Sequence, residues 1–213
     1  MGNRAGGAVG PALCQFLFPS PHFPRAQRAM PTYDDALALF HEWTETESLR
    51  RHGYAVEASM AELARRRGAD VETWRIAGLL HDLDYERHPA PDEHPETGVA
   101  ELARRGYPEE VRTAILGHAP YLGVPRETEM AKALFAVDEL SGFVTAVAHV
   151  RPGGLDGMTP RSVTKKLKDK RFAAAVSRDD IRQGAEELGV ELGDLVQTVI
   201  DGMAREASRL GFA

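Results

Sequence analysis

Sulfur ligands are almost missing from this chain, which has one cysteine, Cys14, in 213 residues. That excludes an internal disulfide and a thiolate cluster for zinc or iron–sulfur, and it fits a reducing cytoplasm. Any metal must therefore sit on nitrogen and oxygen. Long apolar runs are missing too: none approaches the roughly 20 residues a membrane span requires, so the chain is expected not to cross a membrane. No segment alternates with the period of a strand, and no internal repeat is visible. Acidic residues are absent from the first 29 positions, which hold Arg4, Arg25 and Arg28. The whole chain carries a formal −6, so the rest carries −9, three charges more negative. That balance disfavours binding to duplex nucleic acid. What remains is ordinary for a globular protein, 43% hydrophobic and 27% charged, and long enough to bury a core without disulfides.

Residues 1–29 differ in composition from everything after them, with Gly2, Gly6, Gly7, Gly10, Pro11, Pro19, Pro21 and Pro24 and no sustained periodicity. They read as a disordered tail. A signal peptide on residues 12–18 would be interrupted by Gln15 and lacks a small-residue cleavage site. A lipoprotein signal would need a small residue where Leu13 precedes Cys14, and an organelle presequence has only the arginines to support it. The expectation is that translation begins at Met30 and that residues 30–213 form one domain.

From Thr32 onward the pattern is helical. Thr32 with Asp35 is an N-cap signature for a first helix ending near Thr46, and Ser48 is the expected cap of a second, on which His52, Val56, Met60 and Leu63 share a face. Asp70 opens a third helix through Trp74, Ala77, Leu80 and His81, stopped by a polar loop over residues 84–93. His94-Pro95-Glu96 opens a fourth, closed by Gly106. A fifth begins at Pro108 in its first turn and runs through Val111 and Ile115 to His118. A long helix over residues 128–149 carries Leu134, Asp138, Ser141 and Thr145 on one side. After a glycine- and proline-rich loop come a basic helical stretch over residues 163–171, a helix capped by Ser177, and a last helix from Leu192 to Leu210. The fold class is all-α, a compact helical bundle.

Within this pattern an apolar run, Gly78-Leu79-Leu80, ends abruptly in His81-Asp82, an imidazole beside a carboxylate. His52, His94, His118 and Asp138 stand in helical, otherwise apolar contexts. A carboxylate between Val137 and Leu140 is costly unless it is paired, hydrogen-bonded or bound to metal. Each histidine alone would read as a buried core residue; six candidate ligands in the order H…HD…H…H…D point instead to a metal site. Such a donor set suits manganese, iron, cobalt, nickel or zinc better than copper(I) or calcium.

The order resembles the HD superfamily of metal-dependent phosphohydrolases over residues 52–138. The resemblance implies the helical bundle of that superfamily and one or two divalent metals. His52, His81, Asp82 and Asp138 would hold the first ion, and Asp82 would bridge to a second held by His94 and His118. His81 and Asp82 are the catalytic pair it implies, and the substrate would be a small phosphate ester, a nucleotide or dinucleotide. The chain departs from the superfamily's cyclic-dinucleotide phosphodiesterases, because Tyr85 replaces the lysine of their His-Asp-Ile-Gly-Lys stretch. Gly106-Tyr107-Pro108 reads as a helix break. The chain is more similar to small bacterial members that act on nucleotides, including symmetrical dinucleoside tetraphosphate hydrolases. Two alternatives share the ligand order: a di-iron oxygenase, and a nucleotide-sensing module without turnover. Arg51, beside His52, and Lys165 and Lys166 in the basic stretch are candidate phosphate contacts, against the plainer reading of solvated helix faces.

Overall fold

The computed structural model describes residues 1–2 and 30–212, so the expectations for the tail fall almost wholly outside the described residues. Among those residues the secondary structure is helical throughout, with no strand. In chain order the helices are α1 (Tyr33–Trp43), α2 (Glu47–Arg67), α3 (Val71–Leu80), α4 (Glu96–Arg105), α5 (Glu109–His118), α6 (Glu129–His149), α7 (Pro160–Leu167), α8 (Arg178–Leu188), α9 (Leu192–Arg205) and α10 (Ala207–Leu210). A 3-10 turn, Pro120–Leu122, lies between α5 and α6.

Half of the ten helix starts follow from local hydrogen-bonding chemistry, because the first backbone N–H groups of a helix need acceptors. The Thr32 hydroxyl accepts from the Asp35 N–H at 3.2 Å while the Asp35 carboxylate accepts from the Thr32 N–H at 2.9 Å. Asp70 accepts from Thr73 N–H at 2.7 Å, Thr128 from Ala131 N–H at 3.1 Å and Ser177 from Asp180 N–H at 3.2 Å.

Five boundaries differ from the sequence reading. α1 stops at Trp43 rather than near Thr46, and the N-cap of α2 is Thr46, not Ser48. The reason is non-local: the Glu86 carboxylate accepts from Glu45 N–H at 2.7 Å, Thr46 N–H at 3.1 Å and the Thr46 hydroxyl at 2.7 Å. Pro108 is the N-cap of α5 rather than its first helical residue. The basic stretch is helical only to Leu167, since the Arg178 guanidinium gathers the carbonyls of Phe172, Ala173 and Val176 and holds that segment as turns. The last helix breaks at Glu206 into α9 and α10.

The two longest helices, α2 and α6, pack against each other and organise the rest. α3 and α9 lie on α2, α5 and α8 lie on α6, α1 rests on α3 and α4 on α5. The buried hydroxyls of Ser59 and Ser141 meet at 2.9 Å where α2 and α6 cross. α3 approaches so closely that a Cβ on Gly78 would lie 2.9 Å from the Val56 carbonyl oxygen, which is why glycine stands there. That approach sets the C-terminal end of α3 beside α2. Two buried carboxylates on α2 have guanidinium partners: Glu57 takes Arg75 and Arg209 at 3.0 and 2.9 Å, and Glu62 takes Arg66 and Arg205 at 3.0 and 3.1 Å. Pairing of this kind offsets a desolvation penalty on the order of several kcal/mol per ion.

Candidate metal centre

The C-terminal ends of α3 and α5 converge on the sides of α2 and α6. Open carbonyls at such ends carry partial negative charge and favour a cation nearby. Each end finishes in a histidine that turns back on its own helix. His81 Nδ1 donates to the Gly78 carbonyl at 2.8 Å, and His118 Nδ1 donates to the Ile115 carbonyl. A carbonyl can only accept, so each ring carries a proton on Nδ1 and turns Nε2 toward the space between the helices, where its neutral form offers a lone pair. His94 reaches the same space from the segment before α4. Its Nδ1 donates to Asp84 Oδ1 at 2.7 Å, and the other oxygen of Asp84 accepts the Gly98 N–H at 2.6 Å.

All six candidate ligands meet there. His52 Nε2 lies 3.2 Å from His81 Nε2 and 3.1 Å from Asp138 Oδ1. His81 Nε2 lies 3.3 Å from both Asp138 Oδ1 and Asp82 Oδ2. The other oxygen of Asp82, Oδ1, lies 3.4 Å from His94 Nε2 and 3.4 Å from His118 Nε2. Two donor groups result, one of His52, His81 and Asp138 and one of Asp82, His94 and His118, each with its donor atoms within 4.8 Å of one another.

The donor chemistry fits divalent cations. Three imidazoles have already committed their Nδ1–H elsewhere, so lone pairs face carboxylate oxygens with too few protons between them. Among the described residues Asp82 and Asp138 have imidazoles for partners and no lysine or arginine, unlike Glu57 and Glu62. Such an acceptor-rich cluster calls for positive charge. His81 displays that demand: burial opposes its protonation, yet the carboxylates of Asp82 and Asp138 outweigh burial and hold it well above its ordinary 6.5. Asp82 and Asp138 are in turn held below their ordinary 3.8; burial pushes them up, but His81, with His118 at Asp82 and His52 at Asp138, pulls them down further. Asp84 fixes His94 in the way a carboxylate orients a metal-binding imidazole.

These directions fix the pH behaviour of chelated, metal-free protein. The stability His81 contributes is fully present below its ordinary 6.5 and is lost as pH rises through its raised value. The stability from Asp82 and Asp138 is present above 3.8 and is lost as pH falls through their depressed values. Melting temperatures recorded across pH with chelator present should therefore peak between those two ordinary values and fall on either side. A melting temperature that climbed steadily above neutrality would contradict this.

A cavity of about 470 Å³ opens on the cluster, lined by His52, Asp82, His94, His118 and Asp138 and walled by Tyr85, Pro89, Pro91, Pro120, Tyr121, Phe135 and Val176, with Glu139 and Asp180 at its side. Arg51 lines a neighbouring groove of about 440 Å³ that shares His52 and Gly142 with this cavity, and its guanidinium pairs with Glu47 at 3.0 Å. Lys165 and Lys166 line neither space; Lys165 is exposed and the Lys166 ammonium lies 4.7 Å from the centre of the Phe172 ring. A larger depression of about 620 Å³, lined by Asp35, Glu42, Arg104, Arg105 and Tyr107, contains none of the six. Donor chemistry rather than volume singles out the smaller cavity.

Sequence reasoning passed over Asp84, which is fully buried, and the two tyrosines. The signal for Asp84 was present: it follows Leu83, itself buried, directly after His81-Asp82 in a segment otherwise read as a polar loop. No curated protein and no solved structure matches the chain. The family model described as HD domain matches residues 49–142, a span that contains every one of the six converging residues. Over those residues the chain thus matches the HD domain, consistent with the HD superfamily of metal-dependent phosphohydrolases.

Proposed function

We propose that the protein hydrolyses a small phosphate ester at this centre, with His52, His81, Asp82 and Asp138 holding one divalent ion and Asp82, His94 and His118 holding a second. The observation that carries this reading is the placement of Asp82, whose two oxygens face two separate sets of imidazoles 3.3 and 3.4 Å away. When bound, such ions supply Lewis acidity toward phosphoryl oxygens and bring the pKa of a water toward neutrality. The chain's own groups hold the donors in place. Gly78 and Ile115 carbonyls fix the rings of His81 and His118, and Asp84 fixes that of His94. The Tyr121 hydroxyl donates to the His94 carbonyl at 2.7 Å and so ties down the backbone of that residue. Phe135, Val176 and the prolines give the cavity an apolar wall beside the site. Nucleotides are the substrates to try first.

The test is to strip the protein with chelator, restore manganese, iron, cobalt, nickel or zinc separately, and screen phosphate esters with and without dioxygen. Phosphate release that does not depend on dioxygen is the expected result. Turnover with iron alone that stops under anaerobic conditions would replace this reading with the oxygenase. Stoichiometric retention of a nucleotide without product would replace it with the sensing module.

A further inference from the structure

Among the described residues few large hydrophobic side chains are exposed, and two that are, Tyr85 at 42% and Tyr121 at 54%, both line the cavity over the metal centre. Neither is loose. The Tyr85 ring meets the His94 ring edge-on with centroids 5.1 Å apart, and Tyr121 is anchored through its hydroxyl to the His94 carbonyl. Both therefore brace on one candidate ligand while leaving aromatic surface open to the cavity. Pro89, Pro91 and Pro120 add rigid apolar wall beside them. Aromatic faces held in advance bind a flat ring by offset or edge-on stacking at little conformational cost.

The charged groups lining the same cavity limit what such a ring can carry. Beyond the converging residues they are Glu139 and Asp180, and among the described residues no lysine or arginine lines it. A second or third phosphate extending from the metal centre into this cavity would meet carboxylates. The volume, about 470 Å³, lies within the range of small-molecule sites and suits one ring system with one phosphoryl group.

We propose that Tyr85 and Tyr121 bind the ring of the leaving group, so that the substrate class is a monoester bearing a single phosphoryl group on a flat, ring-containing alcohol such as an aryl alcohol or a nucleoside. This rests on the phosphohydrolase reading. In the reaction the oxygen of water bonds to phosphorus, the P–O bond to the alcohol breaks, and the alcohol departs with a proton that originates from the water.

Equilibrium binding separates this proposal from the activity itself. Phenylphosphonate and methylphosphonate, which are not hydrolysed, are titrated calorimetrically into manganese-loaded protein, Tyr85→Ala and Tyr85→Phe, with metal content checked in each. The unaltered protein should favour phenylphosphonate. Tyr85→Ala should weaken that binding about tenfold, the scale of one lost ring–aromatic stack, and leave methylphosphonate binding where it was. Tyr85→Phe should bind like the unaltered protein. In turnover, Tyr85→Ala should raise KM for p-nitrophenyl phosphate more than it lowers kcat, and ATP should be a poorer substrate than AMP. Equal binding of the two phosphonates, equal losses of both in Tyr85→Ala, or preference for ATP over AMP would overturn the proposal. Absence of turnover on every phosphate ester would sink the hydrolase reading, while the phosphonate titrations would still decide the role of Tyr85.

Discussion

Asp138→Ala is expected to lose at least one equivalent of bound metal and to lose turnover with it. Asp138 Oδ1 stands 3.1 Å from His52 Nε2 and 3.3 Å from His81 Nε2, and it supplies the negative charge between two imidazoles whose Nε2 atoms are 3.2 Å apart. Without it the site retains the rings but much less of the field that favours a divalent ion over a proton. Partners that merely orient a ligand cost about 10–100-fold in metal affinity when removed, so loss of a direct donor should exceed about 100-fold. Asp138→Asn serves as the companion variant, since it preserves the volume of the side chain and removes its charge. Metal content after dialysis, read with circular dichroism as a control for folding, decides the matter. Two full equivalents retained by folded Asp138→Ala protein would contradict the assignment.

Asp84→Ala should give a different pattern, the selective loss of one ion. The Asp84 carboxylate accepts from His94 Nδ1 at 2.7 Å and from Gly98 N–H at 2.6 Å, not from His52 or His81. Removing it frees the His94 ring to turn and leaves a buried N–H without an acceptor, a cost of about 1–3 kcal/mol in stability. Affinity should fall about 10–100-fold for the ion assigned to Asp82, His94 and His118, with the other ion retained. Metal content near one equivalent is the expected reading. Gly98→Ala should reproduce the effect from the opposite side, because its Cβ would come within 3.0 Å of the Asp84 Cγ. Equal loss of both ions in Asp84→Ala would show that the two groups of donors do not act separately.

The contrast between Asp138 and Glu57 shows what a buried carboxylate can and cannot reveal in sequence. Both stand among apolar residues on long helices. Glu57 is satisfied by Arg75 and Arg209, which come from other helices, whereas Asp138 meets His52 and His81. Helical period identifies the face that is buried, but it says nothing about which polar group from a distant segment will be waiting there. Glu86 repeats the lesson at the start of α2, where a carboxylate 40 positions away takes the hydrogen bond that a local cap was expected to provide.

By itself the sequence determined the all-α class, most helix starts and the types and order of the six candidate ligands, because caps and periodicity act within a few residues of the chain. Only the tertiary structure decided that Asp82 turns one oxygen to each set of imidazoles, that Asp84 steers His94, and that Tyr85 and Tyr121 face the same cavity. Those facts depend on how α3 and α5 end against α2 and α6, an arrangement fixed by packing between segments far apart in the chain. Arg51, Lys165 and Lys166 show the same dependence: their charge is evident in the sequence, but their distance from the centre is set by the helices that carry them.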